Sequence, residues 1–481
     1  MPCDDFFDFY VSPFCTRYAS SSMSHVFSPK KKIETWRKLW VALAESEKEL
    51  GLPISDEQIA ELKSFVSEIN FELASTYEKK LKHDVMAHIY AYSEQCPKAA
   101  KIIHLGATSC YVVDNADIIA MKEGLELVHR KLLGTISLLA NFARKTKNIA
   151  CLAYTHLQPA QLTTIGKRAV LWLNEFCLDE ANIARLLESL QLLGCKGTTG
   201  TQSSFLNLFE GDEQKVEQLE RKIVEKMGFK SAVDVSGQTY SRKIDYFVCS
   251  ALSGFAQSAM KFANDMRLLQ SFQELEEPFS SSQIGSSAMP YKKNPMKCER
   301  ICALARHLIS NALNPAFTAG CQWLERTLDD SANKRISISE AFLAADSILN
   351  LLNNVCGGIV VNEKIVEANV KKELPFMATE NILMAATKKG GNRQELHEIL
   401  RQSSWLAKTK MKEGCTQNSL IEILCNQKAL NLNKPELEAI LNPQNFVGLS
   451  SKQVDKFLNQ KVELILKQNK NKICTESNVQ I

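Results

Sequence analysis

The chain has 481 residues, of which 45% are hydrophobic and 23% charged, and its formal net charge is +4. This length exceeds what one hydrophobic core supports, so we expect about two to four globular domains. The small net charge argues neither for nor against nucleic acid as a partner. No apolar run reaches the roughly 18–20 residues of a membrane span, and the acidic start, MPCDDFFDFY, lacks the basic flank of a targeting peptide. These features predict a cytosolic protein.

The fifteen cysteines are odd in number, scattered, and contain no CxxC pair. This pattern is typical of reduced thiols in a cytoplasmic chain rather than of a disulfide framework. Cys298 and Cys302 lie one turn apart in a predicted helix, where zinc sites are uncommon. The sequence therefore predicts no metal site.

The N-terminal part of the chain predicts several short helices after a turn-rich start. Trp36, Leu39, Trp40 and Leu43 recur on one helical face. The tetrapeptide SDEQ at 55–58 has the pattern of a capping box, in which two side chains satisfy the backbone at a helix start. We expect an N-terminal helical domain over residues 1–110.

A different pattern begins beyond Asp114. Four segments carry apolar residues at alternating spacings of three and four, which predicts long helices packed at shallow angles. Almost no strand-like alternation intervenes, so the pattern favours a helix bundle over a doubly wound sheet. Long bundle helices commonly pack against other subunits, although a bundle within one chain would show the same seams. The seams are Ile118–Phe142, Trp172–Leu193, Val248–Leu269 and Ile338–Val355.

The long-helix pattern stops at Gly357 and Gly358, and shorter helical segments follow, separated by Gly390, Pro435 and Pro443. We therefore predict an all-α fold of three helical domains with a central long-helix bundle. The predicted domains cover residues 1–110, 111–361 and 362–481.

One loop stands out in the central region. The Gly-Ser loop (residues 280–298) has a serine-rich start without apolar periodicity, and Pro290 and Pro295 prevent a helix between them. Helical spacing resumes after Pro295, which suits the first position of a helix. Because the first N–H groups of a helix lack intrahelical partners, the loop and the helix start predict a place for anions. A surface linker is the alternative that Gly-Ser-Ser alone would allow.

The same loop carries a resemblance to known proteins. Its sequence GSSAMPYKKNPMKCE is similar to the signature of the fumarase/aspartase superfamily, whose members expel a group β to a carboxylate and release fumarate. The chain as a whole resembles the adenylosuccinate lyase family of the animal type. The stretches that carry this resemblance are SPFCTRYAS, LKHDVMAH, HLGATSCYVVDN, YTHLQPAQLTT, GTTGTQSSF, ERTLDDSAN and ELPFMATENI.

The resemblance implies a reaction and an assembly. Members of the family convert adenylosuccinate to AMP and fumarate, and SAICAR to AICAR and fumarate, in purine biosynthesis without a cofactor. They form homotetramers whose central helices make one large core, and each active site collects residues from different subunits. We therefore expect small-molecule substrates, and neither nucleic acid nor a membrane as a partner.

An elimination of this kind needs an acid, a base and cations that hold the carboxylates. In the family, the histidine of the THxQPAQ motif is the general acid to the leaving nitrogen, which implies this role for His156. Histidine suits the role because it can be protonated near neutral pH and then release the proton. From the residues alone, a lone histidine is more often structural. We expect Pro159 to end the extended stretch around it.

The resemblance implies Ser286, the first serine of the GSS triplet, as the base, although the sequence alone does not separate it from Ser287. A serine must be activated by its surroundings before it can accept a proton. Closure of the loop would exclude water and bring Lys292 close to the serine. We expect Lys292 to face the carboxylate on which charge builds up, and Asn294 and Glu299 to hold the loop and the histidines.

The motif LKHDVMAH supplies a further histidine. We expect His83 to position substrate or balance charge beside His156, and Asp84 to orient a neighbour. A metal site at His83 and His88 fails, because residues five apart on a helix face about 140° from one another. Core packing is the favoured interpretation of His88. The expected catalytic residues are His83, His156, Ser286, Lys292 and Glu299.

The resemblance implies that the other expected site residues bind substrate. Arginine suits the phosphate of a nucleotide because its planar fork forms paired hydrogen bonds. Ser331 and Arg335 lie one helical turn apart and face the same way. The expected substrate-binding residues are Arg17, Tyr18, Lys82, His83, Asp84, Thr108, Ser109, Thr155, Gln238, Lys292, Asn294, Arg300, Arg326, Ser331 and Arg335.

Two other functions stay open. A sister lyase, such as an argininosuccinate lyase, would keep the reaction and change the leaving group, and the phosphate-suited Arg326, Ser331 and Arg335 argue against it. A non-catalytic helical scaffold derived from such a lyase would show a decayed loop, whereas this loop is intact. Neither GxGxxG nor GxxxxGK[ST] occurs, which argues against dinucleotide and P-loop chemistry.

Overall fold

The computed structural model describes residues 8–280 and 282–477. The first seven residues of the acidic start, and Ser281 of the Gly-Ser loop, therefore lie outside the described residues. The all-α prediction is confirmed, since helices make up most of the described chain. No helix in these two ranges is both long and apolar enough to cross a bilayer. Two small antiparallel sheets pair β1 (Ala150–Thr155) with β2 (Gln158–Thr164), and β3 (Leu275–Glu276) with β4 (Val360–Val361).

The N-terminal region consists of short helices around one long one. The predicted capping box forms, since the Ser55 hydroxyl accepts the Gln58 N–H at 3.2 Å and the Gln58 side chain accepts the Ser55 N–H at 3.0 Å. Trp36 and Trp40 are buried, and His88 packs edge-on against Trp36 within the core. A π-helical turn, Phe14–Tyr18, precedes α1 (Ser21–Val26), α2 (Pro29–Glu49), α3 (Asp56–Ser64), α4 (Phe71–Leu81) and α5 (Asp84–Gln95).

The central region contains the long helices that the four seams predict. The second seam runs past the end of its helix, because Leu190 is already extended, with ψ 128. Apolar seam residues form the main core of the protein, together with the tryptophans of α2. The helices are α6 (Ser109–Thr146), α7 (Ile165–Ser189), α8 (Ser203–Leu208), α9 (Glu213–Lys226), α10 (Lys243–Ser271), α11 (Met296–Asn311), α12 (Leu313–Gly320) and α13 (Asp330–Gly357).

A buried ion-pair network joins three of the long helices. Arg242, just before α10, is 3% exposed. Its Nη1 lies 2.9 Å from Oδ2 of Asp114 on α6, and its Nε lies 2.6 Å from Oδ2 of Asp330 at the start of α13. Removing one partner of such a buried pair typically costs about 3–5 kcal/mol, because a desolvated charge remains. The network therefore fixes where α10 and α13 begin relative to α6.

The C-terminal region has a second, smaller apolar core, to which Ile382, Leu400 and Leu424 belong. The last helices return to the bundle, where Val454 joins the main core and Asp455 pairs with Lys147 at 2.8 Å. The division into 1–110, 111–361 and 362–481 stays a prediction. The helices are α14 (Glu363–Met377), α15 (Thr379–Lys388), α16 (Arg393–Lys412), α17 (Leu420–Cys425), α18 (Lys434–Ile440), α19 (Ser450–Phe457) and α20 (Glu463–Gln468).

Glu47 on α2 is a buried carboxyl whose two oxygens have no hydrogen-bond partner among the described residues. Burial raises the pKa of Glu47 to about 9, from an ordinary value of 4.5. A group with a raised folded-state pKa contributes stability below its unfolded pKa, and this contribution is lost progressively as the pH rises from the unfolded pKa through the folded pKa. The carboxyl therefore stabilises the fold best in acid, and its ionisation opposes folding in alkali.

We predict that Glu47→Gln, which fills the same space without ionising, stabilises the protein more at pH 8 than at pH 5. The gain in unfolding free energy should differ between the two pH values by on the order of 2 kcal/mol. Thermal unfolding of both proteins across this pH range measures the effect. A constant difference in melting temperature between variant and wild type would contradict the prediction.

Candidate active site

The first group of predicted site residues lies where α4, α5, α6 and α13 meet. Lys82 ends α4 in a left-handed conformation, with φ 55, and so turns the chain into α5. The Nε2 atom of His83 lies 3.4 Å from the hydroxyl of Ser109 at the start of α6. Asp84 accepts a hydrogen bond from Arg335 of α13 at 3.2 Å. The fold therefore brings together residues from three distant parts of the sequence.

A cavity of about 220 Å³ adjoins this group. Arg326, Ser331 and Arg335 line it together with Lys32 of α2. Arg326 is held by Asp330, whose Oδ1 lies 2.8 Å from Nη1. The cavity lining contains more cations than carboxylates, since Asp114, Asp117 and Asp330 also line it, and its guanidinium, ammonium and hydroxyl groups suit a phosphate-bearing ligand.

Gln238 is fixed at the edge of the same region. Its backbone N–H donates to the carbonyl of Glu325 at 3.0 Å, which places it beside Arg326. Its side-chain amide donates to the carbonyl of Thr198 at 3.1 Å. Thr108 is the residue that precedes α6, next to Ser109. Both hydroxyl residues and Gln238 thus belong to the first group.

Lys334, on the same helix as Ser331, points to the interior of the protein. Its Nζ lies 3.0 Å from Oδ2 of Asp117 and 3.1 Å from the hydroxyl of Tyr240. Burial alone would lower the pKa of Lys334, but Asp117 and Asp245 outweigh it and raise the pKa. This lysine holds α13 against α6.

The second group joins the start of the chain to α11. The guanidinium carbon of Arg300 lies 5.6 Å from the centre of the Tyr18 ring, within the range of a cation–π contact. Arg17 and Tyr18 line a cavity of about 720 Å³ with Lys131 and Asn350. The predicted nucleotide contacts Arg17, Tyr18 and Arg300 are therefore neighbours.

The Gly-Ser loop is the third group, and internal hydrogen bonds hold its shape. The side-chain amide of Asn294 donates to the carbonyl of Gly285 at 2.7 Å. The Ser286 hydroxyl accepts the N–H of Met289 at 3.1 Å. The side chain of Lys292 is exposed, whereas its carbonyl oxygen would lie 2.1 Å from a Cβ added at Gly285. Only glycine allows this close approach of the two ends of the turn.

The predicted helix start after the loop needs two corrections. The helix begins at Met296, because Pro295 has a ψ of 57 that is not helical, so Pro295 precedes the helix instead of opening it. The anion site expected at the start of α11 is also occupied by a side chain of the protein. The buried carboxylate of Glu277 accepts the N–H groups of Lys297 and Cys298 at 3.0 and 2.9 Å.

The fourth group is the tip of the hairpin of β1 and β2. His156 and Leu157 form its two-residue turn with φ values of 51 and 58, which is the geometry of a type I′ turn. Pro159 does not end the extended stretch as predicted, because it lies within β2, opposite Tyr154 and beside a bulge. Thr155 and His156 are exposed.

The four groups remain separate in one chain. Across residues 8–280 and 282–477, no hydrogen bond or ion pair joins a site residue of one group to a site residue of another. In particular, His156 contacts neither His83 nor Glu299 in this way, and Glu299 is exposed on the first turn of α11. The direct polar contacts in the described part of one chain therefore do not link His156 to the other predicted catalytic residues.

Sequence reasoning did not find the residues that support the site. Glu277 stands in the acidic run ELEEP, which looks like a solvated turn. Arg242 and Lys334 resemble surface cations, because a charged residue within a polar stretch gives no sign of burial. One residue did give a sign of the buried ion-pair network. Asp114 is a carboxylate directly before an apolar seam, where a buried partner would be needed.

Comparisons with known proteins agree with this geometry. The family model described as "Lyase" matches residues 28–309, and the model described as "Adenylosuccinate lyase C-terminus" matches residues 375–457. The chain is 50% identical to the adenylosuccinate lyase of Saccharomyces cerevisiae, over 95% of both chains. It is 46% identical to that of Schistosoma mansoni, over 99% of this chain and all of the other. The chain belongs to the adenylosuccinate lyase family.

Solved structures of much lower sequence identity share the fold of this chain. A fumarate lyase from Mesorhizobium sp. BNC1 aligns with a TM-score of 0.77 at 22% identity, over 94% of this chain and 99% of that one. The 3-carboxy-cis,cis-muconate lactonizing enzyme of Pseudomonas putida aligns with a TM-score of 0.81 at 18% identity, over the same shares. The helical fold is thus shared at sequence identities of about 20%.

We predict that Gly285→Ala lowers kcat by about 10²-fold, because the added methyl group displaces the turn that holds Ser286 and Lys292. Gly357→Ala is the matched control. Its Cβ would meet Leu138 at 3.9 Å, an ordinary contact. Steady-state kinetics of both variants measure the effect, and equal kcat values for the two would contradict the role of the turn.

Proposed function

We propose that this lyase cleaves adenylosuccinate to AMP and fumarate, and SAICAR to AICAR and fumarate, in the purine biosynthesis of the cytosol. The observation that carries the proposal is the 50% identity to a curated adenylosuccinate lyase over 95% of both chains. The first group of site residues supports it, because a cationic cavity suits the phosphate of either substrate. The intact Gly-Ser loop supports the elimination step.

The elimination follows from the chemistry of three side chains. Ser286 removes a proton from the carbon next to the succinyl carboxylate, and Lys292 stabilises the negative charge that builds up there. His156 gives its proton to the leaving nitrogen, so that the C–N bond breaks while the C=C bond of fumarate forms. No group outside the protein is needed to balance this step.

We propose that the substrate's nucleotide part lies against the first group. Arg326, Ser331 and Arg335 bind phosphate and ribose, and His83, Thr108, Ser109 and Gln238 contact the succinyl side. Asp84 supports this arrangement because its bond to Arg335 sets the direction of the guanidinium. Arg17, Tyr18 and Arg300 complete the nucleotide contacts from a second subunit.

A homotetramer would unite the four groups. His156 is exposed at the hairpin tip and makes no hydrogen bond or ion pair with the described part of its own Gly-Ser loop, so in the proposed assembly the acid of one site comes from another chain. Exposed apolar side chains on the helices of the central region offer a surface for this assembly, since exposed apolar patches commonly mark interfaces. They include Leu171 and Leu178 of α7, Phe247 of α10, Phe317 of α12 and Ile336 of α13.

The first test removes the proposed acid and base one at a time. We expect His156→Gln and Ser286→Ala each to lower kcat on adenylosuccinate by about 10²–10⁴-fold, because each removes one proton transfer. Absorbance assays with chromatography of AMP and fumarate measure turnover, and circular dichroism checks folding. Near-normal turnover by both folded variants would contradict the roles assigned to His156 and Ser286. An inactive wild type would contradict the assignment of adenylosuccinate as the substrate.

The second test addresses the assembly. Mixing the two inactive variants after partial unfolding and refolding should restore activity, because some sites then receive His156 and Ser286 from different intact subunits. Random mixing would make about a quarter of the sites native in a closed symmetric tetramer. Refolding each variant alone is the control. Failure of the mixture to regain activity, with the wild type active after the same treatment, would argue for sites built within one chain.

A further inference from the structure

The segment Glu274–Glu277 lies between the end of α10 and the Gly-Ser loop. Two of its carboxylates are buried, with Glu274 1% and Glu277 2% exposed. Buried carboxylates are rare unless they are paired, and each therefore needs partners that offset its desolvation. The partners of these two residues lead to two different predicted catalytic elements.

Glu277 holds the end of the Gly-Ser loop. Its two oxygens accept the N–H groups of Lys297 and Cys298 at 3.0 and 2.9 Å, at the positive end of α11. Gln270 adds a second tie, because its side chain accepts the N–H of Glu277 at 3.2 Å and donates to the carbonyl of Lys293 at 3.0 Å. Both ties act on the part of the loop that follows Lys292.

The hydrogen bonds of Glu277 and Gln270 are connected to the proposed base, Ser286, through residues of the loop. Asn294, which stands between Lys293 and the capped helix start, donates to the carbonyl of Gly285. Ser286 directly follows Gly285 in the chain. A displacement of the helix start would therefore pass through Asn294 to the serine and to Lys292.

Glu274 supports the hairpin that carries His156. One of its oxygens accepts the side-chain amide of Asn369 on α14 at 3.0 Å, and the other lies 3.9 Å from Nη1 of Arg168 on α7. The Nη2 atom of Arg168 donates to the carbonyl of Leu152 in β1 at 2.5 Å. Glu274 therefore offers a buried negative charge to the guanidinium that is hydrogen-bonded to β1, through an ion pair without a direct hydrogen bond.

We propose that Glu277 and Glu274 are positioning residues of the lyase reaction, with Glu277 acting through the Gly-Ser loop on Ser286 and Glu274 acting through Arg168 on His156. The inference rests on the proposed function. Only Leu275 and Glu276 separate the two carboxylates, so one short segment contacts the supports of both elements. Neither carboxylate contacts substrate in this arrangement.

The test compares Glu277→Gln and Glu274→Gln with Glu398→Gln, in which an exposed glutamate loses its ion pair with Arg401. Each substitution keeps the size of the side chain and removes its charge. In the full-length protein, trypsin cleavage after Lys292 and Lys293 reports the mobility of the loop. Steady-state kinetics on adenylosuccinate report kcat and KM separately.

We expect Glu277→Gln to speed loop cleavage and to lower kcat by about tenfold with a smaller change in KM, because the nucleotide contacts lie elsewhere. Glu274→Gln should lower kcat similarly while loop cleavage keeps the wild-type rate. Glu398→Gln should match the wild type in both. If Glu277→Gln does not fold, Glu277→Asp, which shortens the reach and keeps the charge, takes its place in the same measurements.

A mixing experiment separates positioning from a general loss of stability. Glu277→Gln should regain activity when mixed with His156→Gln and gain nothing with Ser286→Ala, because it damages the same element as the latter. Wild-type loop cleavage and kcat for Glu277→Gln would overturn the inference, as would equal rescue by both partners. An inactive wild type would refute the proposed function instead, and the cleavage rates would still decide whether Glu277 holds the loop.

Discussion

A single buried guanidinium, that of Arg242, sets the frame on which the site is built. It is bound by carboxylates of α6 and α13, so neither helix can slide without leaving a charge unpaired in the core. Asp330 shares its other oxygen with Arg326, which carries the same constraint outward to the cationic cavity. The direction of Arg326 is therefore fixed from inside the bundle.

The proposed catalytic residues differ from the proposed binding residues in how they are supported. The residues around the cavity stand on helices whose starts are fixed by ion pairs, whereas Ser286 and His156 stand on a loop and a turn. A side chain on a loop is held in position by the contacts that anchor the loop to the rest of the fold. The acidic segment before the Gly-Ser loop supplies such contacts to the helix start that follows the loop.

The helical periodicity of apolar residues made the fold predictable. The buried charged residues follow no such periodicity, so the sequence did not reveal them. The four seams indicated the long helices because apolar residues at spacings of three and four have few other interpretations. Arg242, Glu277 and Lys334 were missed, since burial of a charge depends on partners far away in sequence. The hairpin was missed because Pro159 suggested a break, whereas a bulge beside it accommodates the ring. The site residues could be predicted only from sequence motifs shared with a known family.

The outward position of the hairpin tip has a consequence for how the protein behaves on dilution. If the acid of each site comes from a neighbouring chain, catalysis depends on association, and association follows mass action. Specific activity is then a property of the total protein concentration as well as of the sequence. A substitution far from any substrate atom, on the exposed face of α7 or α10, would silence the chemistry simply by lowering the population of assembled sites.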